Sequence, residues 1–224
     1  MFAQTTMRTV SDVNQAMTRV YQYMFLAVVA SMGTAWYVSV TPALMAFFFT
    51  GVMAWVTILS PLAFIFLVPV LFNSGIGRTG MLVTLLAFAS LMGLSTSAMI
   101  AAYTAVSIVQ AFMGAAVLFL TMTLYGYTTQ KSLDSWGSFL LVGLIAIIVV
   151  SLINLFIGSS MLSMVVSAAA VLIFLGLTAY DTQKIKEQLA TSNSPAVEVY
   201  GAMSLYLDFI NLFIHLLSLF GQRK

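Results

Sequence analysis

Residues 201–220 read GAMSLYLDFINLFIHLLSLF, long and apolar enough to cross the roughly 30 Å hydrocarbon core of a bilayer as one helix. Asp208 interrupts that stretch. From Gly201, alternate steps of three and four reach Ser204, Asp208, Asn211, His215, Ser218 and Gln222. Tyr206 apart, the polar side chains therefore form one stripe on an otherwise apolar helix. A carboxylate at mid-membrane costs about 2.5–3.5 kcal/mol on insertion scales, and such a group usually faces other helices or water.

The rest of the chain explains what this helix belongs to. It is 62% hydrophobic and 6% charged, where soluble domains carry about 25% charged residues. At 224 residues this is an all-α integral membrane protein with too little mass outside the bilayer for a second folded domain. A net charge of +2 with scattered cations offers no nucleic-acid surface. The absence of cysteine excludes disulfides, zinc thiolate sites and cysteine nucleophiles. No signal-peptide pattern opens the chain, so targeting is expected to rest on the first span.

The positions of charge set the topology. No Asp, Glu, Lys or Arg falls between Arg19 and Arg78, between Arg78 and Lys131, or between Asp134 and Asp181. Each gap is too long for one span of about 20 residues and too short for three, so each predicts a helical hairpin. Spans are expected near 21–40, 53–72, 80–100, 107–125, 139–157 and 161–180, with 201–220 as a seventh. Arg8, Arg19, Arg78, Lys131, Lys184 and Lys186 then share one face, which the positive-inside rule makes cytoplasmic together with the N-terminus. Residues 1–20 form a cytoplasmic or interfacial segment, 21–220 the transmembrane domain and 221–224 a short tail. Arg223 and Lys224 outside would be a mild violation of the rule; the competing topology folds the last segment as a re-entrant hairpin.

Local patterns add detail. Val10, Val13, Met17, Val20 and Met24 recur at helical spacing, which reads either as a short amphipathic helix in the interface or as a frayed polar leader. Residues 42–52 are expected as an outer connection, with a kink near Ser60-Pro61. Thr178 to Ala190 favours helix, so the sixth span should continue into the cytoplasm and stop before the turn-like residues 191–195. Tyr127-Thr128-Thr129-Gln130-Lys131 is echoed by Tyr180-Asp181-Thr182-Gln183-Lys184, through chance, shared interfacial chemistry or an old duplication.

Asp181 and Asp208 are the only acids expected to touch the membrane region. Asp181 ends the sixth span and Asp208 lies roughly 10 Å into the seventh from the same face, so both carboxylates can reach one layer. Two carboxylates in low dielectric tend to share a proton, and when ionised they offer hard oxygen ligands to Ca²⁺. The structural alternative pairs Asp181 with Lys184 or Lys186 and hydrogen-bonds Asp208 to a neighbouring helix. Ser204, Asn211 and His215 extend the stripe as candidate pathway-lining residues; a lone His is more often a packing residue, and Asn211 and Asn154 read as interhelical glue. Gly93-Leu94-Ser95-Thr96-Ser97 supplies small residues for close helix contact. With no phosphate-binding glycine loop, no zinc-binding His-Glu pair and no Gly-x-Ser-x-Gly elbow, no enzyme activity and no cofactor are expected. An intramembrane aspartyl protease would require Gly-x-Gly-Asp where this chain has Leu205-Tyr206-Leu207-Asp208.

Phe174-Leu175-Gly176-Leu177-Thr178-Ala179-Tyr180-Asp181-Thr182-Gln183 resembles the signature of the Bax inhibitor-1 family, supported by Leu91-Met92-Gly93-Leu94-Ser95, Leu124-Tyr125-Gly126-Tyr127-Thr128-Thr129 and Leu205-Tyr206-Leu207-Asp208-Phe209-Ile210-Asn211-Leu212-Phe213. The resemblance covers nearly the whole chain from the first span onward, and the short ends look like a bacterial member of the inner membrane. It implies seven transmembrane helices, six of them surrounding the central C-terminal one, and a pH-sensitive calcium leak whose paired aspartates map onto Asp181 and Asp208. It also implies an alternative, a non-conducting regulator of a membrane protease of the FtsH type or of stress and cell-death partners. Some relatives have a basic latch at the end of the second span. Here that region reads Phe72-Asn73-Ser74-Gly75-Ile76-Gly77-Arg78, so Arg78 is the sole cation for a latch and lies beyond two glycines. Closure is then expected to rest on the carboxylates and apolar packing.

Overall fold

A computed structural model describes residues 9–224; Arg8 and the start of the expected N-terminal segment lie outside the described residues. Among the described residues the chain is helical, with no strand beyond an isolated bridge between Tyr103 and Arg223. Helix packing divides it into two compact units.

The first unit holds α1 (Val10–Ser39), α2 (Pro42–Phe48), α3 (Gly51–Asn73) and α4 (Arg78–Ala102). It also takes Leu189–Tyr206, which includes the first part of α8 (Pro195–Phe220), and Arg223–Lys224. Thr9 caps α1: its Oγ1 accepts from the Asp12 N–H at 3.2 Å and the Asp12 carboxylate accepts from the Thr9 N–H at 3.2 Å, a reciprocal arrangement that satisfies two otherwise open donors. From there α1 runs unbroken, and Val13, Ala16, Met17, Val20, Met24, Ala27, Val28, Ser31, Ala35 and Val38 make one buried stripe along it. The amphipathic N-terminal segment is therefore neither a separate interfacial helix nor a frayed leader from Thr9 onward. Its apolar face continues in register into the first span and is buried by protein.

The connection expected over 42–52 is largely helical. Pro42 opens α2, where its fixed φ and missing N–H are tolerated, and α2 is bent 101° from α1. α3 remains one helix through Pro61 and Pro69. Pro61 has no N–H for the Thr57 carbonyl, and the Ser60 hydroxyl donates to that carbonyl instead at 3.0 Å. α4 meets α1 closely at Gly93, where an added Cβ would collide with the Ser31 backbone. The small-residue segment thus performs the packing role expected of it.

The second unit contains α5 (Ala105–Thr128), α6 (Asp134–Ile157), α7 (Ser160–Thr191) as far as Gln188, and residues Leu207–Gln222, the second part of α8 included. Phe112 packs edge-on against Phe209 at 5.3 Å and Phe213 at 6.2 Å, and Phe119 against Phe209 at 5.7 Å, which lays α5 along α8. Glycines admit the other neighbours: a Cβ at Gly126 would strike the Ala179 backbone, and one at Gly137 the Tyr180 ring. At the α6–α7 turn, Gly158 takes a left-handed φ of 70°, which a Cβ disfavours. Asn154 donates to Ser163 Oγ at 2.7 Å and to the Ser159 carbonyl at 3.1 Å, and accepts from Ser159 N–H at 3.0 Å. It is glue, but for a hairpin turn.

Six helices, α3 to α8, are long and apolar enough to cross a membrane, and the bent pair α1–α2 is a seventh candidate. α7 continues to Thr191 as expected, and α8 is uninterrupted from Pro195 to Phe220. The re-entrant hairpin considered for the last segment is thereby excluded; the bend in this fold lies near the other end of the chain. Of the six, α8 is the most enclosed, with 56% of its apolar window buried against 11% to 28% for the others.

Candidate functional site

The second unit contains both expected carboxylates. Asp208 sits midway along α8, 3% exposed, and its Oδ2 has no hydrogen-bond partner. The turns around it are apolar: Leu205 and Leu212 are buried on either side, and Phe209 is locked between Phe112 and Phe119. Asp181, on α7, is half-buried. An unpartnered carboxylate oxygen in such surroundings has a strong affinity for a proton, a water molecule or a cation, because each restores what desolvation removed.

The segment carrying Asp181 is strapped by the α5–α6 loop. Gln183 donates to the Lys131 carbonyl at 3.0 Å and accepts from the Leu133 N–H at 2.7 Å. Lys184 pairs with Asp134 at 3.5 Å, an exposed contact of little energetic weight. Lys186 donates to the Tyr127 carbonyl at 2.9 Å and lies 4.5 Å from the centre of the Tyr127 ring. The two lysines considered as partners for Asp181 thus have these contacts with α6 and α5. The two YxTQK copies also lie side by side: Gly126 and Ala179, the residues that precede them, are in backbone contact range.

Beyond Asp208 the polar stripe is partly engaged. Asn211 donates to the Leu207 carbonyl within its own helix at 2.8 Å, so that bond does not glue helices together. His215 has Nδ1 3.3 Å from the Ser167 hydroxyl of α7, which is itself 3.4 Å from Ser218, and the imidazole stacks on Phe174. Ser204 falls in the part of α8 that belongs to the first unit and is half-buried.

The family profile described as inhibitor of apoptosis-promoting Bax1 matches residues 13–224. The chain belongs to the Bax inhibitor family. Among its relatives, the Escherichia coli K12 inner membrane protein YbhL is 38% identical over 216 residues, covering 93% of this chain and 92% of that protein. RP147 of Rickettsia prowazekii is 38% identical over 219 residues, 93% and 89% of the two chains. A protein of Borreliella burgdorferi is 36% identical over 217 residues, 94% and 93%.

In this Bax inhibitor family chain Arg78 has a partner other than the two aspartates. Its guanidinium is 3.4 Å from Glu198, and Arg19 grips the same carboxylate with Nη2 at 2.7 Å and Nε at 3.0 Å. Glu198 is the residue that reading the sequence passes over. It sits just before the stretch that begins at Gly201, next to a turn-like segment, and its arginines are far away in the chain. One signal was available: extending the helix back to Pro195, a natural first residue, places Glu198 on its first turn as a second acid of the same helix.

Proposed function

We propose that this protein is a passive, pH-sensitive pathway for Ca²⁺ in a bacterial inner membrane, with Asp181 and Asp208 as its shared proton and cation site. The observation that carries the reading is Asp208: buried, with one oxygen unpartnered, and in the same compact unit as a second carboxylate, Asp181. Family membership supports it, as does the similarity to the E. coli inner membrane protein YbhL. In this reading α8 is the innermost of seven transmembrane helices, consistent with its greater burial, and the N-terminus and the Asp181 end of α7 are cytoplasmic, on the charge asymmetry of the loops.

The chemistry suits transit better than storage. Ca²⁺ takes six to eight oxygens, and among the described residues no three His, Asp or Glu side chains converge on one point. An ion at the carboxylate pair would keep much of its hydration, with the Asn211 side-chain oxygen as a further neutral ligand on the stripe. Protons compete for the same oxygens, which couples occupancy to pH.

The test is flux through purified protein in vesicles enclosing a calcium dye. A leak above that of protein-free vesicles, varying with pH, is expected. Absence of leak at every pH would remove the reading and favour a non-conducting membrane regulator, to be sought by cross-linking in native membranes.

A further inference from the structure

In the second unit, among the described residues, two buried side-chain oxygens have no hydrogen-bond partner: Asp208 Oδ2 on α8 and Thr123 Oγ1 on α5. Thr123 is 6% exposed. A threonine inside an apolar helix readily donates to the carbonyl one turn back. The other two threonines of α5 do so, Thr121 to Val117 at 2.8 Å and Thr128 to Leu124 at 2.6 Å. Thr123 does not, although both of those are exposed and it is the buried one. A buried hydroxyl without a partner is costly where valine would fill the same space, so packing alone gives no reason for a threonine here.

The placement of Thr123 supplies one. Phe119, Thr123 and Gly126 follow one another on the buried stripe of α5. Phe119, about 6 Å before Thr123 along the axis, packs on Phe209 of α8 at 5.7 Å, and Phe209 directly follows Asp208. Gly126, about 4.5 Å beyond Thr123, lies against the Ala179 backbone of α7, two residues before Asp181. Thr123 is thus bracketed by the contact α5 makes beside one aspartate and the contact it makes beside the other. From this placement we propose that Thr123 Oγ1 belongs to the Asp208 site: the hydroxyl and the carboxylate hold one water molecule between them, free or in the shell of a passing cation. This deepens the proposed function and rests on its assignment of Asp208. Water suits the pair because it can accept from the hydroxyl and donate to the carboxylate at once, and buried waters typically serve polar groups otherwise left open. A calcium ion that keeps much of its hydration would bring the same water with it.

The first test needs no calcium flux. Infrared difference spectroscopy between acid and neutral pH reads the carbonyl stretch of the protonated Asp208 carboxyl, with Asp208→Asn as the blank. A hydrogen-bonded carboxyl absorbs at lower frequency than an isolated one. Thr123→Val keeps the shape and removes the hydroxyl, so the Asp208 band is expected to move to higher frequency; Thr123→Ser, which keeps the hydroxyl, should leave it near its wild-type position. If Thr123→Val fails to accumulate, Thr123→Ala carries the same expectation. An Asp208 band unmoved in whichever of these hydroxyl-free variants accumulates overturns the inference. The second test is the calcium concentration that half-saturates leak into dye-loaded vesicles. It should rise about threefold or more in Thr123→Val, within the range set by one net hydrogen bond, and return in Thr123→Ser. A band that moves while the calcium dependence stays fixed overturns the cation arm and leaves a free water as the shared ligand. A wild-type protein that leaks no calcium removes the proposed function, and the infrared band then decides the role of Thr123 alone.

Discussion

Gly93→Ala replaces one hydrogen with a methyl group where α4 approaches α1. The new Cβ would fall on the Ser31 backbone, and a backbone cannot swing aside as a side-chain tip can. Overpacking of this kind costs about 1–3 kcal/mol, and the upper half of that range applies here. Against it stands the helix preference of Ala over Gly, about 1 kcal/mol. The net loss is then about 1–2 kcal/mol, which for a chain of this size corresponds to a fall in Tm of about 2–8 °C. Gly33→Ala is the matched control: it lies on α1, and its Cβ would meet nothing within 4 Å, so the propensity gain stands alone and Tm should hold or rise. Both can be measured by thermal unfolding in detergent, followed by tryptophan fluorescence. A Gly93→Ala protein that melts at or above wild type would refute the close-contact account of the α1–α4 interface.

Asn154→Ala removes the three hydrogen bonds that the Asn154 side chain makes at the α6–α7 turn. At about 0.5–1.5 kcal/mol net per bond, with the site part-exposed, the loss should be about 1–3 kcal/mol; a melt unchanged from wild type would show that the turn is held by Gly158 and the hairpin contacts alone. Gln183→Ala releases the loop around Lys131–Leu133, so trypsin in detergent should cut after Lys131 several-fold faster than in wild type. Equal cleavage rates would mean that the strap on α7 does not depend on Gln183.

Much of this architecture was legible because insertion into a bilayer leaves a coarse signal. The uncharged gaps bounded by Arg19, Arg78, Lys131, Asp134 and Asp181 marked three hairpins, and each expected span lies within a helix or overlaps one closely. Asp208 stood out for the same reason, as a carboxylate where hydrocarbon should be. The errors have a shared cause, which is that periodicity shows an apolar face without showing what covers it. The stripe from Val13 to Met24 suits a lipid surface as well as a protein core, and only the continuation of α1 decides between them. Thr41 and Pro42 mark a turn in sequence, but whether a loop or a short helix follows depends on local packing. Glu198 was invisible because its meaning lies in Arg19 and Arg78, and one sequence carries no sign of contacts over such separations. Asn211 looked interhelical, yet an amide in a helix can satisfy itself on the carbonyl one turn back.

The central claim is that Asp208, with Asp181, makes the calcium pathway respond to protons. Calcium leak into dye-loaded vesicles, measured across pH for wild type and Asp208→Asn at equal protein density, tests it most directly. The account predicts a pH-dependent leak in wild type and a leak that is flat with pH, or lost, in Asp208→Asn. A variant whose leak follows the wild-type pH profile would contradict it.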